Sequence, residues 1–301
     1  MRTEETVGAL RAALAAARGE EHGPVGLVPT MGALHAGHAA LLRAARAECA
    51  WVVASLFVNP AQFSPTEDLA AYPRDADGDA RTFAREGVNV LFVPDAAEVY
   101  PPGFDTAVEV GGLASVLEGD PARRGPGHFR GVATVVLKLL NMAAPEVVYF
   151  GQKDLQQALV VRRLVRDLDL PVAVRVVPTV RDADGLALSS RNAYLGPTER
   201  DRALALSRGL RAARERVSAG ELEARALAAA VRAELERAGV EPEYVELRQI
   251  PDLAPSARAE DGTALLLAAR VGRARLIDNV VFGPLDVLSD PLPVPHEEVL
   301  S

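Results

Sequence analysis

Two histidines stand three residues apart, at the point where an apolar run gives way to a predicted helix. Residues 25–29 predict a strand, and glycines lead from it into a helix that should begin near Gly37. His35 and His38 would then project from the first helical turn toward one ligand. A helix N-terminus favours anions, so a phosphate held there could accept hydrogen bonds from both imidazoles. Two surface histidines or half of a zinc site are the alternatives, although neither Cys nor a third His clusters with them.

A second candidate anion site is the Leu-Ser-Ser-Arg segment at residues 188–191. The guanidinium of Arg191 offers paired donors to phosphate oxygens, and the hydroxyls of Ser189 and Ser190 add hydrogen bonds. For three polar residues alone, a solvated loop is the simpler interpretation. Their position at a predicted domain boundary favours binding, because a second domain could close over a ligand there.

Further polar residues follow other predicted strands. Lys153 comes directly after one and could reach a triphosphate as a compact charge. Asp154 is either a ligand residue or simply the N-cap of the next helix. Gln62 and Gln157 carry amides that suit the hydroxyl and carboxylate groups of a small polar substrate, although a lone Gln usually lies on the surface.

The elements that must position these residues alternate along the first half of the chain. The hydrophobic pattern predicts strands over 25–29, 51–58, 88–93, 147–150 and 172–177, and helices over 37–49, 77–86, 131–142 and 155–168. This alternation predicts an α/β fold with a Rossmann-like, doubly wound parallel sheet. Ligands bind at the carboxyl ends of the strands in such sheets, which is where the candidate residues stand.

The second half of the chain has a different order of elements. Helices are predicted over 197–219 and 221–238, and strands over 244–247, 263–270 and 275–282. Helices followed by strands indicate a smaller α+β C-terminal domain. We therefore predict an N-terminal domain over 1–180, a C-terminal lid domain over 181–283, and a proline-containing tail over 284–301 that is extended or flexible.

Composition narrows the class of protein. The 33 Lys and Arg against 41 Asp and Glu give a net charge of −8, which argues against nucleic-acid binding. The single cysteine, Cys49, cannot form a disulfide within the chain, so we expect a cytoplasmic protein. No apolar run approaches the roughly 18–20 residues that would span a membrane. The motifs of P-loop ATPases and of NAD-dependent dehydrogenases are both absent.

Taken together, these segments resemble the pantothenate synthetase family across roughly residues 1–283. The matching segments are PTMGALHAGH (29–38), FVNPAQF (57–63), YPR (72–74), GHFRG (127–131), GQKD (151–154) with QQ (156–157), DGLALSSRN (184–192) and LIDN (276–279). Each segment alone is weak evidence for the family, but the order and spacing of all of them together are highly specific for it. The first of them also resembles the His-x-Gly-His signature of nucleotidyltransferases.

The resemblance implies a ligase that condenses pantoate with β-alanine through pantoyl adenylate, using ATP and Mg²⁺ and releasing AMP and pyrophosphate. By position, it implies that ATP is held by Met31, Gly32, His35, Gly37, His38, Gly151, Lys153, Asp154, Val180, Leu188, Ser189, Ser190 and Arg191. The residues implied in catalysis are His38, His35, Lys153 and Arg191. Those implied in binding pantoate or β-alanine are Gln62, Gln157 and Asn59, and a metal role is implied for Asp79.

The resemblance also implies a homodimer whose other partners are small molecules. Two alternatives stay open. One is another adenylate-forming or nucleotidyl-transferring enzyme that uses the same ATP site on a different acid. The other is a nucleotide-binding regulator without activity, against which the intact histidines and cations argue.

The sequence departs from the family pattern at three places. Ala61 stands where Met is usual, which should loosen the wall of the pantoate pocket. Gln152 stands where Glu is usual, which removes a charge beside the neighbouring lysine. The stretch 118–128 is longer than usual and carries Arg123 and Arg124 side by side, either of which could face the site.

Overall fold

Six strands form a fully parallel sheet in the N-terminal part of the chain. The computed structural model describes residues 1–20, 23–63, 69 and 72–290. The strands are β1 (Arg2–Glu4), β2 (Val25–Thr30), β3 (Trp51–Leu56), β4 (Val90–Phe92), β5 (Val147–Gly151) and β6 (Ala173–Val177). Their order across the sheet is β1-β4-β3-β2-β5-β6, with every pair parallel. The predicted Rossmann-like parallel sheet is confirmed.

Helices cover both faces of this sheet. They are α1 (Val7–Glu20), α2 (Ala36–Glu48), α3 (Ala76–Arg85), α4 (Ala96–Val99), α5 (Pro126–Ala143) and α6 (Leu155–Asp167). The apolar residues of α1, α5 and α6 pack on one face, and those of α2 and α3 on the other. Val53 lies in the first of these cores and Val52 in the second, which explains why β3 is apolar without alternation.

The order of the strands fixes where a ligand can enter. The chain moves outward from β2 to β3 and β4, and then returns to the other side of β2 for β5 and β6. This reversal leaves a crevice at the carboxyl ends of β2 and β5. The turns that carry the histidines and Lys153 both begin there.

Some features of the N-terminal part were not predicted, among them the short helix α4. The pair β1 and α1 was missed, because β1 is a three-residue edge strand whose side chains are exposed or half-buried and show no alternation. Helix α5 begins at Pro126, ahead of the predicted start at Gly131. Proline is well tolerated at the first position of a helix, since its missing N–H would have no helical partner there.

The C-terminal part is a helical pair packed on a three-stranded antiparallel sheet, which agrees with the predicted α+β arrangement. Its elements are α7 (Pro197–Ser218), α8 (Ala224–Arg237), β7 (Pro242–Gln249), β8 (Thr263–Val271) and β9 (Ala274–Phe282). Leu265 and Leu267 of β8 pack against the two helices, whereas Leu266 on the opposite face joins the core of the N-terminal part. The C-terminal sheet therefore lies between its own helices and the rest of the molecule. Among the described residues, no helix combines the length and apolar character needed to cross a membrane.

The described start of the predicted tail, residues 284–290, is anchored to the N-terminal part. Leu288 is 1% exposed and packs into the N-terminal core. The Asp290 backbone N–H donates to the Val174 carbonyl at 3.0 Å, and the Asp290 carboxylate accepts from Arg162 at 2.7 and 3.0 Å. These contacts cover the open edge of β6, which would otherwise be free to pair with another strand. The rest of the tail, 291–301, lies outside the described residues.

Ending the chain after Gly283 should therefore make it less stable than ending it after Asp290. The shorter chain loses a buried leucine and a half-buried ion pair, together worth roughly 2–3 kcal/mol. Urea unfolding of both truncated chains and of the full chain measures this. Equal midpoints for all three chains would contradict the anchoring role of Leu288 and Asp290.

Candidate active site

A cavity of about 240 Å³ opens at the carboxyl ends of β2 and β5 and is walled on another side by the C-terminal sheet. Most of the predicted site residues line it, although they come from separate parts of the chain. The site residues that it brings together are Met31, His35, Gly37, His38, Asn59, Gln62, Gly151, Lys153, Asp154, Gln157, Val180, Leu188, Ser189, Ser190 and Arg191. Gly32 and Asp79 do not line it.

The two histidines cap the N-terminus of α2 reciprocally. The Gly37 backbone N–H donates to Nδ1 of His35 at 3.1 Å, and the His35 backbone N–H donates to Nδ1 of His38 at 3.3 Å. A ring nitrogen that accepts an N–H carries no proton, so each neutral ring has its proton on Nε2. Both side chains therefore have an Nε2–H to donate to a ligand.

Both histidines are neutral at ordinary pH. Removal from bulk water lowers the pKa of His35 to about 4, and the nearby positive charge of Lys153 adds to the effect. Removal from bulk water also lowers the pKa of His38 to about 3, assisted by His35, whose ring centroid is 4.1 Å away. The Nε2–H groups are thus uncharged donors fixed in place by the helix cap.

The turn before α2 is held by Asp79, the residue for which a metal role was predicted. Asp79 is 3% exposed, and its two carboxylate oxygens accept from the Ala33 and Leu34 backbone N–H groups at 2.8 and 2.7 Å. Its acceptor capacity is directed at the backbone, outside the cavity lining. Within residues 1–20, 23–63, 69 and 72–290, no group of three or more His, Cys, Asp or Glu could hold a metal ion.

Positive charge faces the histidines from the turn that follows β5. Lys153 Nζ lies 3.6 Å from Asp154 Oδ1. Removal from water raises the pKa of Asp154, but Lys153 and Arg191 outweigh this and hold the pKa below its usual range. Asp154 is therefore ionised between two cations. The net positive charge of this group suits a polyphosphate.

The segment 188–191 reaches the cavity through a backbone bridge. The Leu188 N–H donates to the Val180 carbonyl at 3.0 Å, and Ser189 Oγ accepts the Arg191 backbone N–H at 3.2 Å. The Tyr72 hydroxyl lies 3.4 Å from Ser190 Oγ on the opposite side. The two serines, Arg191 and the Val180 backbone are thereby brought to one side of the cavity.

Two polar residues of β9 brace this site, although neither was predicted as a site residue. Asn279 Nδ2 donates to the carbonyls of Gln152 and Lys153 at 2.9 and 3.0 Å, and Gln152 Nε2 donates to Asn279 Oδ1 at 3.2 Å. Asp278 accepts two hydrogen bonds from Arg181, at 2.6 and 2.9 Å. The available signal was a pair of polar residues inside an otherwise apolar strand.

Gln62 is held at the far side of the cavity by Asn59. Asn59 Nδ2 donates to Gln62 Oε1 at 3.0 Å and to the Gly131 carbonyl at 3.1 Å, while Asn59 Oδ1 accepts from the Ala61 N–H and the Tyr100 hydroxyl. Asn59 is 1% exposed, so its amide is fully engaged within the protein. Asn59 thereby orients Gln62, and its predicted contact with pantoate or β-alanine stays a prediction.

Close packing of two backbones sets the position of Gln62. A Cβ on Gly131 of α5 would lie 2.2 Å from the Ala61 carbonyl oxygen, so only glycine allows this approach. Ala61 itself is exposed and does not line the cavity. The Cβ of Ala61 is thus not part of the pocket wall, and the effect of alanine at this position stays a prediction.

The remaining wall near Gln62 is apolar. Its side chains come mainly from α5 and from the loop after β3: Phe57, Val132, Val135, Val136 and Leu139. Gln157, half-buried at the start of α6, adds a second amide that makes no hydrogen bond to any described residue. This end of the cavity suits a small branched molecule with hydroxyl and carboxylate groups.

Comparison with known proteins agrees with this geometry. The family model of pantoate-beta-alanine ligase matches residues 2–281. Proteins named pantothenate synthetase are 52% identical over 93% of this chain and 99% of the relative in Roseiflexus castenholzii, and 50% identical over 93% and 98% in Pseudomonas aeruginosa.

Solved structures give the same result. Pantothenate synthetase from Thermus thermophilus superposes with a TM-score of 0.88 at 47% identity, covering 94% of this chain and 100% of that one. Pantoate-beta-alanine ligase from Francisella tularensis, complexed with beta-gamma ATP and beta-alanine, superposes with a TM-score of 0.76 at 32% identity, covering 93% and 97%. The chain therefore belongs to the pantoate–β-alanine ligase family.

Proposed function

We propose that the chain condenses (R)-pantoate with β-alanine to form pantothenate, through a pantoyl-adenylate intermediate, with consumption of ATP. One observation carries the proposal: a single cavity is lined by an uncharged histidine pair and two cations, which form its proposed phosphate end, and by two amides and an apolar wall, which form its proposed amide end. Family membership and the ATP and β-alanine ligands of the Francisella tularensis relative support the same reaction.

The phosphate end serves the first step. The pantoate carboxylate attacks the α-phosphorus of ATP, the bond to the bridging oxygen breaks, and pyrophosphate leaves with the electron pair. Nε2–H groups of His38 and His35, with Lys153 and Arg191, would stabilise the negative charge that develops. His38 is the proposed hydrogen-bond donor to the phosphate during this step.

Magnesium is proposed to bind through the phosphate oxygens of ATP. Asp154 is an ionised carboxylate in the cavity, and Mg²⁺ in nucleotide sites commonly uses one or two carboxylates together with phosphates and waters. Asp154 therefore fits as its protein contact in place of Asp79. The ion would supply charge neutralisation on the triphosphate.

The amide end serves the acid and the second step. Gln62 and Gln157 would bind the hydroxyl and carboxylate oxygens of pantoate, and the α5 wall its branched carbon. In the second step the β-alanine amine, after losing a proton, attacks the acyl carbon. The carbon–nitrogen bond forms, the carbon–oxygen bond to phosphate breaks, AMP leaves with the electron pair, and the new amide nitrogen sheds its extra proton.

The C-terminal domain, over 181–283, is proposed to act as a lid on this chemistry. Leu266 and Ile277 of its sheet line the cavity, and Asn279 holds the turn that carries Lys153. An acyl adenylate is sensitive to water, so a wall supplied by a second domain protects it.

Product analysis tests the proposed function directly. The protein is supplied with ATP, Mg²⁺ and pantoate, with and without β-alanine, and AMP and pantothenate are followed. We expect sustained AMP formation only when both substrates are present. Turnover with another carboxylic acid, and none with pantoate, would favour the alternative adenylate-forming enzyme.

The pH dependence of the first step follows from the two histidines. Their pKa values lie below the ordinary value of 6.5, at about 4 and about 3, so neither ring loses charge as pH rises from about 6 to about 8. Pantoate-dependent exchange of labelled pyrophosphate into ATP should show no loss attributable to these rings over that interval. A fall in the exchange rate with a midpoint near 6.5, the ordinary pKa of histidine, would show instead that an imidazolium is required, provided that substituting His38 abolishes the fall.

The same shifts predict the effect of acid on stability. The unfolded chain takes up protons on these histidines as pH falls below 6.5, whereas the folded chain takes them up only near pH 4 and pH 3. Their contribution to stability is complete above 6.5 and diminishes as pH falls toward the folded pKa values. Protonation of Nδ1 would also remove the acceptors that cap α2.

We further propose a cytoplasmic homodimer whose partners are small molecules. The resemblance to the family supports the dimer, and the lone cysteine, Cys49, which is buried, supports a reducing compartment. Light scattering at several protein concentrations tests the dimer.

A further inference from the structure

One cation that lines the cavity has no part in the mechanism above. Arg124 precedes α5 and lines the cavity, whereas its neighbour Arg123 does not. The Arg123 guanidinium stacks over the Tyr244 ring, 4.4 Å from its centroid, and lies 3.4 Å from a Glu246 oxygen. The arginine that faces the site is therefore Arg124.

His128 fixes the direction of this arginine. His128 Nδ1 lies 2.9 Å from the Gln62 carbonyl oxygen, which can only accept, so Nδ1 carries the proton and donates it. His128 Nε2 then keeps its lone pair and accepts from Arg124 Nη1, 3.1 Å away. His128 is 7% exposed, and a guanidinium has no acceptor, so this chain of hydrogen bonds runs in one direction.

The connection places Arg124 at the amide end of the cavity. Its partner His128 bonds to the backbone of Gln62, which the proposed function assigns to the acid and the amine. Lys153 and Arg191 each lower the pKa of Asp154 more than Arg124 does. In the second step the phosphate of AMP occupies their end of the cavity, which leaves Arg124 as the cation beside Gln62.

We propose that Arg124, held by His128, binds the carboxylate of β-alanine and so makes the second step selective for an amine that carries a carboxylate. A guanidinium pairs with a carboxylate through two parallel hydrogen bonds, which fixes orientation as well as charge. Neutral amides could not balance that charge inside the cavity. The amine at the other end of β-alanine is thereby directed at the acyl carbon. This inference rests on the proposed function.

Separating the two half-reactions tests the inference. In Arg124→Met, pantoate-dependent exchange of pyrophosphate into ATP should stay within a few-fold of wild type. The kcat/KM for β-alanine should fall by about 10- to 150-fold, the usual weight of hydrogen bonds to a charged group. Arg123→Met is the matched control, since it removes the adjacent guanidinium outside the cavity, and both of its half-reactions should stay near wild type.

The preference between β-alanine and a second amine can also be measured, and a general structural defect would not change this preference. β-Alaninamide has the same amine but no carboxylate, so wild type should strongly prefer β-alanine, and Arg124→Met should lose most of that preference. Arg124→Lys keeps the charge without the paired geometry and should retain an intermediate preference. It serves as the test if the methionine variant does not fold.

Two outcomes would overturn the inference. Equal losses in pyrophosphate exchange and in β-alanine use would place Arg124 on the phosphates instead. An unchanged preference for β-alanine would remove it from substrate binding altogether. Failure of the proposed function is distinguishable, because wild type would then show no pantoate-dependent exchange.

Discussion

Replacing His38 with alanine is expected to lower the rate of adenylate formation by about 100-fold or more, the usual weight of a preorganised donor to a developing negative charge. The loss should fall on kcat, because the Nε2–H is most useful when charge builds up on the phosphate. Pantoate-dependent pyrophosphate exchange and single-turnover formation of adenylate measure it. Turnover close to wild type would exclude the proposed role of His38.

Two conservative variants separate chemistry from helix capping at this position. The alanine variant also removes the Nδ1 acceptor that caps the His35 backbone N–H. In His38→Asn an amide stands near the position of Nδ1 and can keep the cap, but nothing replaces the Nε2–H. In His38→Gln the amide nitrogen stands near Nε2. We expect the Asn variant to be as slow as Ala yet more stable, and the Gln variant to recover part of the rate.

The sequence indicated the residues that could take part in chemistry at this site better than it indicated the residues that hold them in place. His35, His38 and Lys153 follow apolar strands, and the carboxyl ends of parallel strands meet in one place, so their convergence follows from the order of elements. The structure adds the orientation of each group. That both imidazoles carry their proton on Nε2 depends on backbone N–H partners that no spacing rule identifies.

The supporting contacts of the site could not be predicted from the sequence, for one physical reason. A carboxylate or an amide can serve a ligand or the backbone, and only the tertiary structure decides which. Asp79 was predicted to bind a metal and Asn59 a substrate, yet both are buried with their oxygens directed at protein donors. Arg123 and Arg124 are adjacent in sequence, and packing against Tyr244 turns one of them away from the cavity.

The cavity also depends on contacts between the two halves of the chain. Glu118, from the loop before α5, is bonded to Arg275 of β9 and to the Tyr244 hydroxyl of β7. Burial raises the pKa of Glu118, but its bonds to Arg275 hold the pKa below its usual range. The loop that carries Arg124 and the turn that carries Lys153 are therefore both tied to the same small sheet. Such long-range pairs leave no periodic signal in the sequence.

Replacing Gln62 with alanine is expected to impair the use of pantoate and β-alanine while leaving the KM for ATP nearly unchanged. Its amide faces the acid end of the cavity in an orientation set by Asn59, whose Nδ2 donates to Gln62 Oε1. Loss of one or two oriented hydrogen bonds to a charged substrate should lower kcat/KM for each by about 10- to 150-fold. Steady-state kinetics with each substrate varied in turn measure the effect.

Ala61→Met is the matched control for Gln62→Ala. It changes the adjacent residue to the one usual in the family, but its side chain is exposed and does not line the cavity. We expect Ala61→Met to leave the KM for pantoate unchanged, whereas a substitution in the wall of the cavity would alter that KM. A lower KM for pantoate in Ala61→Met, or unchanged kinetics in Gln62→Ala, would mean that the acid binds elsewhere than between Gln62 and the α5 wall. If both results are as expected, the acid site is defined by an amide whose direction is set by buried neighbours, and its selectivity should then respond to Asn59 as strongly as to Gln62 itself.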